Sequence, residues 1–223
     1  SLDGGGGYDT LTVSGNATGD NAFLVAESAG HVLVTTSGFT TFTLDVVGTE
    51  NLIIDAGGGN DSVTIGDLSA TEIDADGVTL LGGDGNDVLL GSVGNEVLDG
   101  GANNDLLDGG DGFDTVAFSG ATSGVNVSLA SNAVFADGQG GTDNIYNIET
   151  VVGTDYVDQI VGDANANTLF GGAGGDTLFG NSGDDILRGG AGDDILYDSS
   201  GSATPSKAVT ATTFLAPKAA PIY

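Results

Sequence analysis

The chain has no cysteine, and only three basic residues, three prolines and one histidine. Without cysteine there is neither a disulfide framework nor a thiolate metal site. The three bases, Arg188, Lys207 and Lys218, stand against 32 acids, for a formal charge of −29. That balance excludes nucleic acid and anionic membrane surfaces as electrostatic partners and points to cations. No apolar run approaches the length of a bilayer span, and no basic-then-apolar leader is visible, so membrane insertion is not expected. The lone His31 has no second imidazole with which to share a metal or a catalytic role, and in HVLVTT it reads as an ordinary strand residue. The prolines, Pro205, Pro217 and Pro221, all fall in residues 199–223, with two of the three bases. This segment reads as an extended or disordered tail.

What is abundant is glycine, 41 residues of it, without the triplet period of collagen. High net charge opposes collapse. Yet 39% of the residues are hydrophobic, and they recur at a fixed interval. GGDGNDVLL at Gly82–Leu90 is followed without a gap by GSVGNEVLD, GGANNDLLD and GGDGFDTVA. The same period returns at Gly153 as GTDYVDQIV, GDANANTLF, GGAGGDTLF, GNSGDDILR and GGAGDDILY, ending at Tyr197. Single units stand at Gly4–Thr12 and Ala56–Thr64. A fixed nine-residue period defines a repeat architecture.

Slot by slot, the first five positions are glycine-rich, the sixth is acidic and the eighth is aliphatic. Slots seven to nine suit a very short strand with slot eight on one face and its neighbours on the other. The glycine-rich slots suit a turn that needs positive φ. Three-residue strands cannot stand alone. Stacked in parallel, with two units per coil and 18 residues per turn, they form two facing sheets with a continuous slot-eight interior. No segment shows helical periodicity, so almost no α-helix is expected. The expected divisions are an irregular β module with isolated repeat-like turns (1–73), a first repeat block (74–117), an irregular β-coil spacer that carries the stack onward (118–152), a second block (153–198) and the tail (199–223).

Slot six holds Asp87, Glu96, Asp105, Asp114, Asp158, Asn167, Asp176, Asp185 and Asp194, and in the isolated units Asp9 and Asp61. Hard cations such as calcium take six to eight oxygens from carboxylates and carbonyls. Turns 18 residues apart stack, which pairs Asp87 with Asp105, Glu96 with Asp114, Asp158 with Asp176, Asn167 with Asp185, and Asp176 with Asp194. A divalent cation between such turns neutralises like charges that otherwise repel. Glu96 is longer than Asp, Asn167 is neutral, and Tyr156 replaces the slot-four glycine, so the row should be weakest there. Asn103, also in slot four, tolerates positive φ.

The units GGDGNDVLL, GGDGFDTVA, GGAGGDTLF and GGAGDDILY resemble the GGxGxDxUx calcium-binding nonapeptide of RTX (repeats-in-toxin) proteins. The resemblance implies an all-β fold, a right-handed parallel β-roll with several calcium ions in stacked turns. It also implies backbone ligands from the first four slots, among them Gly82, Asp84, Gly101, Asn103, Gly171, Ala173, Gly190 and Gly192. The implied function is a calcium-stabilised structural module of a secreted or cell-surface bacterial protein that leaves by type I secretion and folds outside the cell. Two alternatives stand beside it: an accessory domain of a secreted enzyme, and a self-assembling surface-layer, filament or adhesin subunit.

No enzymatic activity is expected of these residues. Regular spacing accounts for most acids as ligands rather than as a catalytic pair. The DADG at Asp74–Gly77 lacks an EF-hand's closing glutamate, since Gly85 stands there. No GK[ST] follows the glycine-rich turns, and the HExxH of secreted RTX metalloproteases is absent.

Overall fold

The computed structural model describes residues 2–3, 7–28, 31–37, 42–69, 71, 73, 77–199 and 212–214. Two sheets hold all of the strands among them. The only helical element among the described residues is a 3-10 turn at Leu129–Ser131. One sheet has eight strands, all parallel, in the order Thr10–Ser14, Asn51–Gly58, Val78–Asp84, Glu96–Ala102, Thr115–Ala117, Thr150–Val152, Thr168–Ala173, Ile186–Ala191. The other has fourteen. Its parallel strands alternate with the first set along the chain: Ser62–Ile65, Val88–Leu90, Leu106–Asp108, Gln159–Val161, Thr177–Asn181 and Asp193–Asp198. Within the repeat blocks each coil crosses both sheets once.

The nine-residue slots explain the register. Val88 pairs with Leu106, Leu89 with Leu107, and Leu90 with Asp108, one coil on. In the second block Thr177, Leu178 and Phe179 pair with Ile195, Leu196 and Tyr197. Slot eight points inward: Leu89, Leu98, Leu107, Val116, Ile160, Leu169 and Leu178 are fully buried. Each such aliphatic side chain contributes roughly 1.5–3 kcal/mol relative to exposure. Slots seven and nine point outward. There the Phe179 and Tyr197 rings stack 5.0 Å apart, and the Arg188 guanidinium lies 5.3 Å from the Phe170 ring centre.

The turns are less purely turn-like than their glycine content predicts. In the eight-stranded sheet the ladder continues into slots one to three, with Gly83 against Gly101 and Asp84 against Ala102. The first half of each such turn is therefore backbone-paired to the next coil.

The segments flanking the blocks join the same two sheets. Residues Thr10–Ser14 pair with Asn51–Gly58, and Ala22–Ser28 with Ser62–Ile65. Beyond them lies an antiparallel meander of Ala22–Ser28, His31–Ser37 and Phe42–Val47, with Leu2–Asp3 parallel at its edge. His31 begins a strand that pairs with Ala22–Ser28 on one side and Phe42–Val47 on the other. Across the spacer, Thr115–Ala117 pairs directly with Thr150–Val152. In the larger sheet the path is different. Asp143–Tyr146 pairs with Leu106–Asp108, then Ala133–Ala136 and Asn126–Ser128 follow antiparallel, and only then Gln159–Val161. Phe118, Leu129 and Ile148 are buried within this region. Thr212–Phe214 adds a parallel strand beside Asp193–Asp198. The rest of the 199–223 tail beyond Ser199, and the DADG acids Asp74 and Asp76, lie outside the described residues.

Candidate metal centre

Every slot-six side chain of the two blocks is buried, with no more than 4% of its surface exposed. The strand that follows fixes the position. Slot eight must point into the core, so slot six, two residues earlier, points the same way at the strand entrance. In each stacked pair one carboxylate oxygen has a defined partner, the backbone N–H of the slot-six residue one coil earlier. Asp87 N–H donates to Asp105 Oδ1 at 2.8 Å, Glu96 to Asp114 at 2.7 Å, Asp158 to Asp176 at 2.9 Å, Asn167 to Asp185 at 2.9 Å and Asp176 to Asp194 at 3.0 Å. The five pairs read from the 18-residue period are thus brought together.

The second oxygen is the informative one. Oδ2 of Asp61, Asp87, Asp105, Asp114, Asp176, Asp185 and Asp194 is buried without any hydrogen-bond partner, as is that of the half-buried Asp9. Such an atom carries the full desolvation cost of a polar group. It also faces a second oxygen. A Cβ on Gly82 would lie 2.5 Å from Asp87 Oδ2 and collide with the Gly100 carbonyl oxygen one coil on. Gly171 stands likewise between Asp176 Oδ2 and the Gly189 carbonyl oxygen. Slot one is glycine because carboxylate and carbonyl converge on the space a side chain would take.

The local field has the same sign throughout. Burial first, and then the charges of Asp61, Asp20 and Asp84, push the Asp87 carboxyl up to about 6 against the lowering effect of the Asp61 N–H. Burial, with Asp143, Asp87 and Asp137 beside it, pushes Asp105 up to about 7. Asp176 rises to about 6 and Asp143 to about 7, again chiefly through burial. Asp114 and Glu96, a tightly interacting pair, are both raised by burial. Asp61, Asp185 and Glu149 rise for the same first reason.

Three turns differ. In those starting at Gly91, Gly153 and Gly162, slot two is Ser92, Thr154 or Asp163. The slot-two N–H turns inward and donates to the slot-six side chain: Ser92 to Glu96 Oε2 at 3.1 Å, Thr154 to Asp158 Oδ2 at 2.6 Å, Asp163 to Asn167 Oδ1 at 2.8 Å. The Thr154 hydroxyl adds a bond to Asp158 Oδ1 at 2.9 Å. In the remaining turns slot two has positive φ, 102° at Gly83 and 70° at Asn181, and the acid's second oxygen stays unpartnered. These three turns are the ones that hold Glu96, Asn167 and Tyr156. The distinguishing position is slot two rather than slot four or six. Tyr156 does not take positive φ, whereas Asn103 does, at 84°.

Of the backbone candidates, Gly82 and Gly171 sit at the oxygen convergence just described. The Asp84 carbonyl accepts the Gly59 N–H at 2.8 Å, and its side chain is exposed. Ala173 accompanies Gly171 in the paired half-turn, against Ala191. Gly101, Gly190 and Gly192 have positive φ and abut the carbonyls of Gly83, Gly172 and Gly174, one coil earlier.

The acid ladder is longer than the repeat blocks. Asn21 N–H donates to Asp61 at 2.5 Å, Asp61 to Asp87 at 2.7 Å, Asp105 to Asp143 at 3.0 Å and Asp114 to Glu149 at 2.9 Å. Asp9 donates to Glu50 at 2.7 Å. Glu50, Asp143 and Glu149 lie outside the nine-residue period because loops of other lengths separate them. A local signal was present nonetheless: each stands two residues before an inward aliphatic, Leu52, Ile145 or Val151.

Among the described residues no three Asp, Glu, His or Cys side chains converge on one point. The donor set is instead one or two carboxylates with backbone carbonyls, all oxygen. This set fits a hard divalent cation, which accepts carbonyl ligands and neutralises the facing oxygens. It does not fit a softer metal that takes imidazole or thiolate. Along the ladder, Asp9, Asp61, Asp87, Asp105, Asp114, Asp176, Asp185 and Asp194 have a free oxygen to offer.

No curated protein matches the chain. A family model, the RTX calcium-binding nonapeptide repeat, matches in four copies, at residues 81–116, 145–178, 152–187 and 170–202. The chain is thus a carrier of RTX calcium-binding nonapeptide repeats between residues 81 and 202, stacked as a parallel β-roll.

Proposed function

We propose that this β-roll is a calcium-gated structural module of a secreted or cell-surface bacterial protein, unfolded in the cytosol and folded outside. It performs no catalysis of its own. The observation that carries the reading is the row of buried Oδ2 atoms without hydrogen-bond partners. Buried like charges of this kind disfavour the fold until a cation joins them. Calcium supplies the missing charge. The chain's residues supply the oxygens and hold them in place through the N–H to Oδ1 ladder.

The magnitude suits a switch. Extracellular calcium modules bind at roughly 10⁻⁴–10⁻³ M. At ten times its dissociation constant one site stabilises the folded state by about 1.4 kcal/mol. Five such sites contribute about 7 kcal/mol, comparable to the whole stability of a typical domain. At cytosolic calcium that contribution nearly vanishes. Circular dichroism of the chain in EDTA and in millimolar calcium tests this: a large calcium-dependent gain of β signal is expected, and equal spectra would overturn it.

A further inference from the structure

The spacer holds a buried carboxylate that belongs to no repeat. Asp137 is 1% exposed. Its Oδ1 accepts three consecutive backbone N–H groups, from Gln139 at 2.7 Å, Gly140 at 2.8 Å and Gly141 at 2.9 Å. Three charge-assisted bonds to one oxygen fix the carboxylate in a single orientation. Its Oδ2 is buried and has no hydrogen-bond partner. That atom is aimed at the glycine that closes the loop. A Cβ on Gly141 would lie 2.5 Å from Asp137 Oδ2 and would collide with the Asn103 carbonyl oxygen. The space above Gly141 is therefore shared by a carboxylate oxygen and a carbonyl oxygen, neither of which can donate a proton to the other when the carboxyl is ionised.

We propose that Asp137 Oδ2 and the Asn103 carbonyl oxygen form a separate site for a hard divalent cation of the calcium class, pinning the spacer to the first block. Asn103 lies in the third unit of that block, and Asp137 lies outside every matched repeat. The site joins segments 34 positions apart in the sequence by a contact that no nonapeptide period specifies. The surroundings suit a cation. Asp143 is 4% exposed, and its Oδ1 accepts the Asp105 N–H at 3.0 Å. The negative charges of Asp137 and Asp99 both bear on Asp143, and that of Asp137 also bears on Asp105. The donors are oxygens only, as calcium prefers.

The proposal shares with the repeat reading only the identity of the cation, and the two can fail separately. Native mass spectrometry of the full chain at saturating calcium counts bound ions. Asp137→Asn is expected to hold one ion fewer than the unsubstituted chain, with the repeat ions retained. The same variant should melt higher in EDTA, because the carboxamide N–H can donate to the Asn103 carbonyl. Asp87→Asn serves as the repeat control. Equal ion counts for the unsubstituted chain and Asp137→Asn, with a loss in Asp87→Asn, would overturn the spacer site and leave the repeats standing. No bound calcium in any of the three would overturn both. Should Asp137→Asn fail to fold, a crystal of the unsubstituted chain soaked in strontium decides. An anomalous peak beside Asp137 Oδ2 is expected, and peaks in the repeats alone would refute the site.

Discussion

Acidification should stabilise the calcium-free fold. Asp87 and Asp176 titrate near 6, and Asp105 and Asp143 near 7, against an ordinary value of 3.8. A carboxyl raised in the folded state binds more protons there than in the unfolded chain over the interval between the two values. Stability therefore falls as pH rises through that interval. The destabilisation is complete above the folded value and is relieved as pH drops from about 7 toward about 4. Between about pH 8 and pH 5 each carboxyl near 6 regains on the order of 1 kcal/mol, and each near 7 somewhat more. The sites interact and titrate together, so the gains do not sum, and a total on the order of 5 kcal/mol is reasonable. In a domain of this size that is a rise in melting temperature of roughly 10–20 °C. The assay is a thermal melt followed by circular dichroism in EDTA across that range. A melting temperature that is flat, or that falls on acidification, would refute the argument. Saturating calcium should reverse the slope, because protons then compete for occupied oxygens.

Other substitutions separate the parts of the fold. Asp105→Asn keeps the acceptor for the Asp87 N–H but removes a buried charge, so the melt in EDTA should rise while calcorimetric calcium affinity falls at least tenfold. Gly83→Ala places a Cβ against the Gly57 carbonyl at a φ of 102°, and chemical denaturation should show a loss of more than about 1 kcal/mol with or without calcium. Leu98→Ala, in the fully buried ladder, should cost about 2–5 kcal/mol in the same experiment. Thr154→Gly removes the hydroxyl bonded to Asp158 and lets slot two adopt positive φ, so ion counting should show an additional or tighter calcium, and an unchanged count would argue against slot two as the closing position.

The slot pattern makes the core legible in the sequence. Leu89, Leu107 and Leu178 recur at a fixed interval because each coil repeats the same two turns, so inward residues and 18-residue partners follow from counting. The outer pairs Phe179–Tyr197 and Phe170–Arg188 follow from the same count. Counting stops where coil length changes. Asp143 and Glu149 join the acid ladder across 38 and 35 residues, a closure set by loop conformation rather than by period. The closed turns were also hidden. Ser92, Thr154 and Asp163 look like tolerated changes in a glycine slot, and only the direction of their N–H groups reveals that they occupy the acid's oxygens.

The spacer has a mechanical consequence. Between Leu106–Asp108 and Gln159–Val161 the larger sheet inserts three strands where one coil accounts for one, while across the core Thr115–Ala117 meets Thr150–Val152 with nothing between. Strands sit about 4.8 Å apart, so one wall of the roll is about 10 Å longer than its opposite over the same stretch. The roll absorbs that difference by a tilt of its axis or by an outward bulge of the longer wall. Phe118, Leu129 and Ile148 are buried in this region, where the two walls differ in strand number and the nine-residue period is interrupted.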